Sequence, residues 1–595
     1  MTVSWKTLVG VALVIVAATV WLYWPSVHGG FLTGMDDDEY LRQAARCNGL
    51  TWNAVKWAFT TTQPYYQPLP RLSHALDYQM WRKNAAGHHA TSVVVHALNA
   101  ALVFGFAWAL LGTVSLTTGE RLAMALGVAV VFAIHPLQVE SVAWMSGRTQ
   151  LLGTTFGIGC VWAYVAGARR WAVWGLFVAS LLCKPMAVLL PFVMLAIDYF
   201  PLRRYEQLGW GRLLREKAVL IGLGVAATVA ALIAEARKGG LMIPLEKAPL
   251  WERVLLMFQS LVFYPWKLVW PAGLSPVYPL RLGVSLGQPL AFASTVCVAI
   301  VTVLSVRDRR RTPVLAVSWA SYVMLVLPLS GLVHAGIAPR HAYLAMLPLL
   351  LLGGGAAVSV WRHSATVARV GLVGGLACAL CVFGLLTRRL IPVWHDDETL
   401  WRTVLSKFPD SSAANRSLVR LLLDQGRSGE ALDYAQRWVE IVPELEDAHF
   451  DLGSVLVRLG RLPDAVEEYE EAVRINPNDV EAYVNLGSTF LQMGGVQAAI
   501  EQYEQALRIN PDSAAAHGNL GAIYQHMGKL PEAVEQYQHA LRSEPDYVEA
   551  HYNLGLALEK LGRTPEAIAE YQQALKLQPD LAPAKNALTQ LQAGQ

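Results

Sequence analysis

The sequence predicts an all-α protein in two parts, a polytopic helical membrane domain followed by an α-solenoid, and three observations predict it. Hydrophobic residues make up 54% of the 595 and charged residues only 16%, where an ordinary soluble chain carries about 25% charge, so lipid must cover much of the surface. Long apolar stretches recur up to about residue 388 and then stop. A strict 34-residue period follows them. The organisation read from these is a membrane domain at 1–390 with its first extracytoplasmic loop at 25–90, a junction at 391–410 and a repeat region at 411–595.

A helix needs about 20 predominantly apolar residues to cross the hydrocarbon core, where it satisfies its own backbone groups. About eleven segments qualify, beginning near residues 8, 91, 121, 149, 171, 186, 217, 288, 313, 341 and 370, with Lys184 and Pro185 dividing the pair between 171 and 200. Lys and Arg in short loops stay cytoplasmic. Arg169, Arg170, Arg203, Arg204, Arg212, Arg215, Lys217, Arg307, Arg309, Arg310, Arg311, Arg362 and Arg369 fall on one side of an eleven-span count. That count puts the N-terminus in the cytoplasm, and the 25–90 loop, residues 236–287, the Arg340 turn and everything after Arg388 outside. The first span ends in Trp21, Tyr23 and Trp24, an interfacial aromatic belt without a cleavage site, and is read as retained.

A net charge of +3 offers no clustered basic face, which argues against nucleic acid as a partner. Five of the six cysteines lie in or beside apolar segments, so neither a disulfide framework nor zinc spacing is visible. No Walker sequence, GxSxG elbow or dinucleotide fingerprint occurs.

In the repeat region Pro443, Pro477, Pro511, Pro545 and Pro579 stand 34 residues apart, and Gly453, Gly487, Gly521 and Gly555 keep the same spacing. So do Ala465, Ala499, Ala533 and Ala567, and Tyr469, Tyr503, Tyr537 and Tyr571. This pattern resembles the tetratricopeptide repeat, a helix-turn-helix unit: small Gly and Ala let paired helices approach, Tyr fills between them, and Pro stops the second helix. Val419 replaces Gly in the first unit. Asn485, Asn519 and Asn553 recur at the sixth position, with Ser417 and Asp451 there in the first two repeats. Their amides either bond between helices within a repeat or form a ladder that grips an extended peptide acceptor by its backbone.

Chemistry is sought in the first loop, where GMDDDEY sets Asp36, Asp37, Asp38 and Glu39 in a row. Such carboxylates serve as a general base toward an acceptor hydroxyl, or hold a Mn or Mg ion against a phosphate, or are simply solvated. His74, His88, His89, His135, Glu140, Arg148 and Arg340 share the outer loops. Arg340 is either an interface anchor or a fork for a lipid-carrier phosphate. Glu140 and Arg148 either pair with each other or contact donor and acceptor, and Lys184 either snorkels or adds a phosphate contact. No histidine pair shows the helical spacing with a carboxylate that marks a strong zinc site.

The ordered set GMDDDEY, YYQPLPRLSH, NAAGHHATSVVVHALNA, HPLQVESVAW, CKPMAVLLPFVMLAIDY and APRHAYLAMLPL, ahead of the repeats, resembles the transmembrane and tetratricopeptide-repeat O-mannosyltransferase family and its bacterial relatives. The resemblance implies a GT-C glycosyltransferase in an inner membrane, with a polyprenyl-phosphate sugar as donor and a protein acceptor recruited by the repeats. It implies Asp37 as base, with Asp36 as its partner or cation ligand, and a donor phosphate held by Arg340 with Arg148 or Lys184. Glu140, His135 and His74 would support this polar edge. Two departures stand out: Met35 precedes the acids where an aromatic is usual, and Pro339 precedes Arg340 where an acid is common. Two other functions fit less of the sequence. An inactive anchored scaffold leaves the polar outer edges without a task. A polysaccharide polymerase or transporter needs charges along a path through the spans, yet Asp198 lies toward a span end.

Overall fold

The computed structural model describes residues 3–35, 37–46, 49–61, 66–236, 249–279, 283–329 and 337–593. Asp36 therefore lies outside the described residues. The described residues form helices and no strand, in two compact units, Met1–Pro409 and Asp410–Gln595.

In chain order the first unit contains α1 (Trp5–Tyr23), α2 (Asp37–Arg46), α3 (Trp52–Thr60), α4 (Pro68–Trp81), α5 (Ala85–Leu111), α6 (Thr118–Ile134), α7 (Val139–Ala143) and α8 (Arg148–Val165). It continues with α9 (Arg170–Cys183), α10 (Leu190–Tyr199), α11 (Arg204–Ala236), α12 (Leu250–Val269), α13 (Pro289–Arg307), α14 (Pro313–Val326), α15 (Ala342–His363), α16 (Thr366–Leu390) and α17 (Asp397–Lys407). A helix covers each expected span, although the one expected near residue 217 begins already at Arg204, and the count of about eleven is not confirmed. Among the described residues five helices are long and apolar enough to cross a membrane, or six if the bent pair Thr118–Ile134 and Pro136–Ala143 is one span. The shortfall is partly one of length: α9 and α14 have 14 residues each, about 21 Å at 1.5 Å per residue against a core of about 30 Å.

Helix α5 is the axis of this unit and packs against α1, α6 and α8. Its His88, Ser92, His96 and Asn99 recur at helical spacing and all are buried. In lipid such a stripe must find partners inside the protein, and it does. His96 Nδ1 lies 2.6 Å from the Tyr343 hydroxyl of α15 and its Nε2 3.0 Å from the Ala133 carbonyl of α6. Asn99 donates to the Leu151 carbonyl of α8 at 3.0 Å. One polar stripe thus registers three neighbouring helices. A second polar knot joins α8, α10 and α11, where Tyr164 donates to both oxygens of Asp198 (2.6 and 2.7 Å) and buried Lys217 pairs with the same carboxylate.

The second unit is a solenoid of helix pairs: α18 (Ser412–Asp424) with α19 (Ser428–Ile441), α20 (Glu446–Arg458) with α21 (Leu462–Ile475), α22 (Val480–Gln492) with α23 (Val496–Ile509), α24 (Ala514–His526) with α25 (Leu530–Ser543), and α26 (Val548–Lys560) with α27 (Thr564–Leu577), followed by α28 (Ala582–Ala593). The period has the expected physical basis. A Cβ on Gly453, Gly487, Gly521 or Gly555 would come within 2.6–2.9 Å of the ring of Tyr469, Tyr503, Tyr537 or Tyr571 respectively. Only glycine lets the ring close the gap between paired helices. The turn inside each pair needs a left-handed residue, which Gly426, Gly460, Gly494, Gly528 and Gly562 supply at φ 72–83°.

Candidate functional site

The acidic motif opens α2, where carboxylates in the first turn complement the exposed N–H groups. Its members differ sharply in surroundings. Asp37 is fully buried: its Oδ1 accepts from the Ser146 amide (3.1 Å) and hydroxyl (2.6 Å), and its Oδ2 from the Leu32 amide (3.0 Å). Asp38 is half-exposed and pairs with Arg42 at 3.0 Å, one turn along. Donors on both Asp37 oxygens suit a carboxylate fixed by hydrogen bonds.

The basic candidates sort in the same way. Arg148 is fully buried and pairs with Asp77 of α4, while its remaining donors go to Ser73, Ser92 and the His88 carbonyl. Its expected pairing with Glu140 is thereby corrected, because α4 brings Asp77 to it instead, and no donor faces an open phosphate site. Glu140 belongs to Arg340: its Oε2 accepts the Arg340 amide at 2.7 Å and its Oε1 the guanidinium, which lies 5.4 Å over the Trp144 ring. Glu140 is buried, whereas Arg340 keeps 28% of its side chain exposed. The acid missing beside Arg340 in sequence is thus supplied from α7, across the fold. His135 is a local cap, with Nδ1 accepting from the Leu137 amide (3.2 Å) and Nε2 facing the Leu268 carbonyl (3.0 Å).

His74 is buried against the Tyr40 ring (4.8 Å), and neither ring nitrogen has a hydrogen-bond partner among the described residues. His74, Asp77 and His88 bring one ligand atom each within 4.8 Å of one another. The set was invisible to a search by spacing because His88 comes from the next helix. Arg148 on the same Asp77 oxygen places a guanidinium where a dication would sit, so the cluster fits an ion pair flanked by neutral imidazoles better than a metal centre. Burial, reinforced by Arg148 and His88, holds the His74 pKa well below 6.5. In the unfolded chain His74 takes up a proton near pH 6.5, and in the folded protein only at lower pH. Its contribution is therefore complete above pH 6.5 and is lost as pH falls toward the folded value, at up to about 1.4 kcal/mol per pH unit. The melting temperature of wild type relative to His74→Phe is expected to fall as pH is lowered from 7.5 to 5.

Lys184 lies at a small pocket of about 20 Å³, lined by a mixture of polar side chains (Thr149, Gln150, Thr154, Ser180 and His341) and apolar ones (Leu325 and Leu344 among them). Gln150 Oε1 and Thr154 Oγ1 are buried there without a partner among the described residues, and such atoms await a donor from water or ligand. Leu325 and Leu344 line this pocket and also an apolar cavity of about 180 Å³. That cavity runs past Ile158 and Val193 to Phe200 and Val314, at the opposite ends of α10 and α14. An apolar slot thus abuts a small pocket carrying a lysine and a histidine. The sequence reading missed Asp77, Ser146, Gln150 and Thr154; only the TQ pair after Arg148, polar at the start of an apolar run, hinted at one of them, Gln150.

In the solenoid Asn485, Asn519 and Asn553 are half-buried, and their side-chain amides make no hydrogen bond within the described residues. Interhelical bonding does not occupy them. At the preceding position of the row, Asp451 is instead closed by Arg420 at 3.0 Å.

Fold and site define a helical membrane protein with a small pocket at the end of an apolar slot and a tetratricopeptide-repeat solenoid. Tetratricopeptide-repeat family models match residues 398–446 and 523–582, and 453–494 and 489–528. Consistent with the resemblance to the O-mannosyltransferases, part of the chain is similar to two proteins named protein O-mannosyl-transferase. The chain is 34% identical over 138 residues to the protein O-mannosyl-transferase Tmtc1 of Drosophila melanogaster, covering 22% of this chain and 16% of that protein. It is 28% identical over 100 residues to the protein O-mannosyl-transferase F38B6.6 of Caenorhabditis elegans, covering 17% and 14%. The matched stretch is thus about a sixth of either relative's length. Among solved structures it is similar to YrrB, a TPR protein with an unusual peptide-binding site (20% identity, TM-score 0.26, 31% of this chain and 96% of that one), and to a thermophilic TPR protein of Thermus thermophilus (23%, 0.27, 31% and 99%).

Proposed function

We propose that the first unit transfers a sugar from a polyprenyl-phosphate donor to a protein hydroxyl, and that the solenoid recruits the acceptor. The observation that carries this reading is the apolar slot of about 180 Å³ with Lys184 and His341 at the small pocket that adjoins it: a prenyl tail needs an apolar slot, and its phosphate a cation at the end of that slot. The loop charges favour reaction on the extracytoplasmic face, with the N-terminus in the cytoplasm and the repeats outside.

In this reading the acceptor oxygen attacks the sugar's anomeric carbon as the bond to the prenyl phosphate breaks. The leaving phosphate takes up the electron pair, and Lys184, with His341 and the exposed part of Arg340 nearby in sequence, stabilises its charge. The acceptor proton passes to the acidic pair of the first loop. Because Asp37 is committed to three donors, we assign the base to Asp36 and the anchoring of the turn to Asp37, reversing the roles that the resemblance implied. A single displacement inverts the anomeric configuration. The three unpaired asparagine amides would hold an extended acceptor peptide through its backbone.

The test is transfer of label from a panel of radiolabelled polyprenyl-phosphate sugars to periplasmic protein by purified wild type and Lys184→Met. Transfer by wild type with donor KM raised about tenfold or more in the variant is expected for a lost charge-assisted phosphate contact. No transfer across the panel, with peptide still captured by the solenoid, would replace the enzyme by an anchored scaffold.

A further inference from the structure

The turn leading into the acidic motif is strapped to a segment far along the chain. The Gly30 amide donates to the His395 carbonyl at 2.7 Å, and His395 Nε2 lies 3.2 Å from the Pro25 carbonyl. Two residues on, Asp397 Oδ2 accepts from the Thr33 amide and hydroxyl, both at 2.9 Å, and from the Gly34 amide at 3.2 Å. A Cβ on Gly34 would lie 3.1 Å from Asp397 Oδ1, so backbone is pressed against the carboxylate.

The carboxylate has no other task among the contacts described. Asp397 is the first residue of α17, but the cap of that helix is Asp396, which accepts from the Thr399 amide at 2.7 Å. Asp397 is 7% exposed, forms no ion pair among the described residues, and turns only toward the loop. At the other end of α17 Lys407 donates to the Leu274 carbonyl, and the Phe408 ring lies 5.8 Å from Tyr278, so the helix is fixed at both ends. Two contacts therefore flank the start of the motif: Asp397 holds Thr33 and Gly34, and Ser146 holds Asp37.

We propose that Asp397 is a positioning residue: it latches the backbone of Thr33 and Gly34 so that the chain enters the acidic motif from one fixed place. Three donors converging on one carboxylate oxygen give the latch its strength, because charge-assisted hydrogen bonds are roughly twice as strong as neutral ones. For its effect on catalysis the proposal rests on the glycosyltransferase reading; the latch itself does not.

The experiment uses the full chain in detergent, as wild type, Asp397→Asn and Thr33→Val. Hydrogen exchange is read by mass spectrometry on peptides covering residues 28–40. The neutral amide is expected to speed exchange at Thr33 and Gly34 about fivefold or more, leaving peptides from the spans and solenoid unchanged. Thr33→Val, which removes one of three donors and serves if Asp397→Asn folds poorly, is expected to speed exchange at Gly34 about twofold. In the transfer assay Asp397→Asn is expected to lower kcat about 10- to 100-fold with donor KM unchanged, as for a misplaced reacting group. Unchanged exchange overturns the latch, and faster exchange with unchanged kcat overturns its positioning role. A wild type without transfer sinks the glycosyltransferase reading alone, while the exchange result still sustains or overturns the latch.

Discussion

Arg148→Met is expected to destabilise the membrane unit by about 3–5 kcal/mol, the usual consequence of leaving a buried charge unpaired. Folded domains hold about 5–15 kcal/mol in all, so the variant should give little folded protein and a much lower melting temperature in detergent. The reason is Asp77, 1% exposed in its side chain, which would lose its guanidinium while the His88 carbonyl and Ser92 lose donors. Removing both charges tests the explanation. Arg148→Met with Asp77→Leu should recover much of the loss, since replacing a buried ion pair by apolar residues is often nearly neutral. If Arg148 held a donor phosphate instead, the single variant would keep its melting temperature and show only a raised donor KM.

This expectation differs from what the residue suggested in sequence, and the difference shows where sequence is informative. The solenoid was legible because its chemistry is local and repeated: Gly521 faces Tyr537 within one helix pair, and the same pair recurs every 34 residues. Helix positions in the membrane unit were legible for the same reason, apolarity being a property of consecutive residues. Partner choice was not. Glu140 and Arg148 lie eight residues apart and look like a natural pair, yet the fold gives Glu140 to Arg340, 200 positions on, and Arg148 to Asp77, 71 positions back. Lys217, counted with the loop cations of the cytoplasmic side, is buried against Asp198. Long-range pairings leave no periodic trace in one sequence. Neither did Asp397, because an acid opening a polar helix looks like a cap until Asp396 is seen to do that work.

Asp36→Asn is expected to lower transfer by about 10²- to 10⁴-fold, the range of general-base catalysis, without changing the melting temperature. Asp37→Asn should behave in the opposite manner. An amide at residue 37 keeps one acceptor oxygen but turns an N–H toward one set of donors, either the Leu32 amide or the Ser146 amide and hydroxyl. The buried mismatch costs about 1–3 kcal/mol, so this variant should melt earlier and lose activity in step with the turn it no longer holds. Measuring kcat and melting temperature for both separates the roles. Should Asp37→Asn abolish transfer at an unchanged melting temperature while Asp36→Asn stays active, the base is Asp37, and its three hydrogen bonds must open before it can accept a proton. The pH profile adds an independent check. With Asp36 as base, activity rises with pH as that carboxylate ionises, and Asp36→Asn removes this limb while Asp37→Asn leaves it in place, lower throughout.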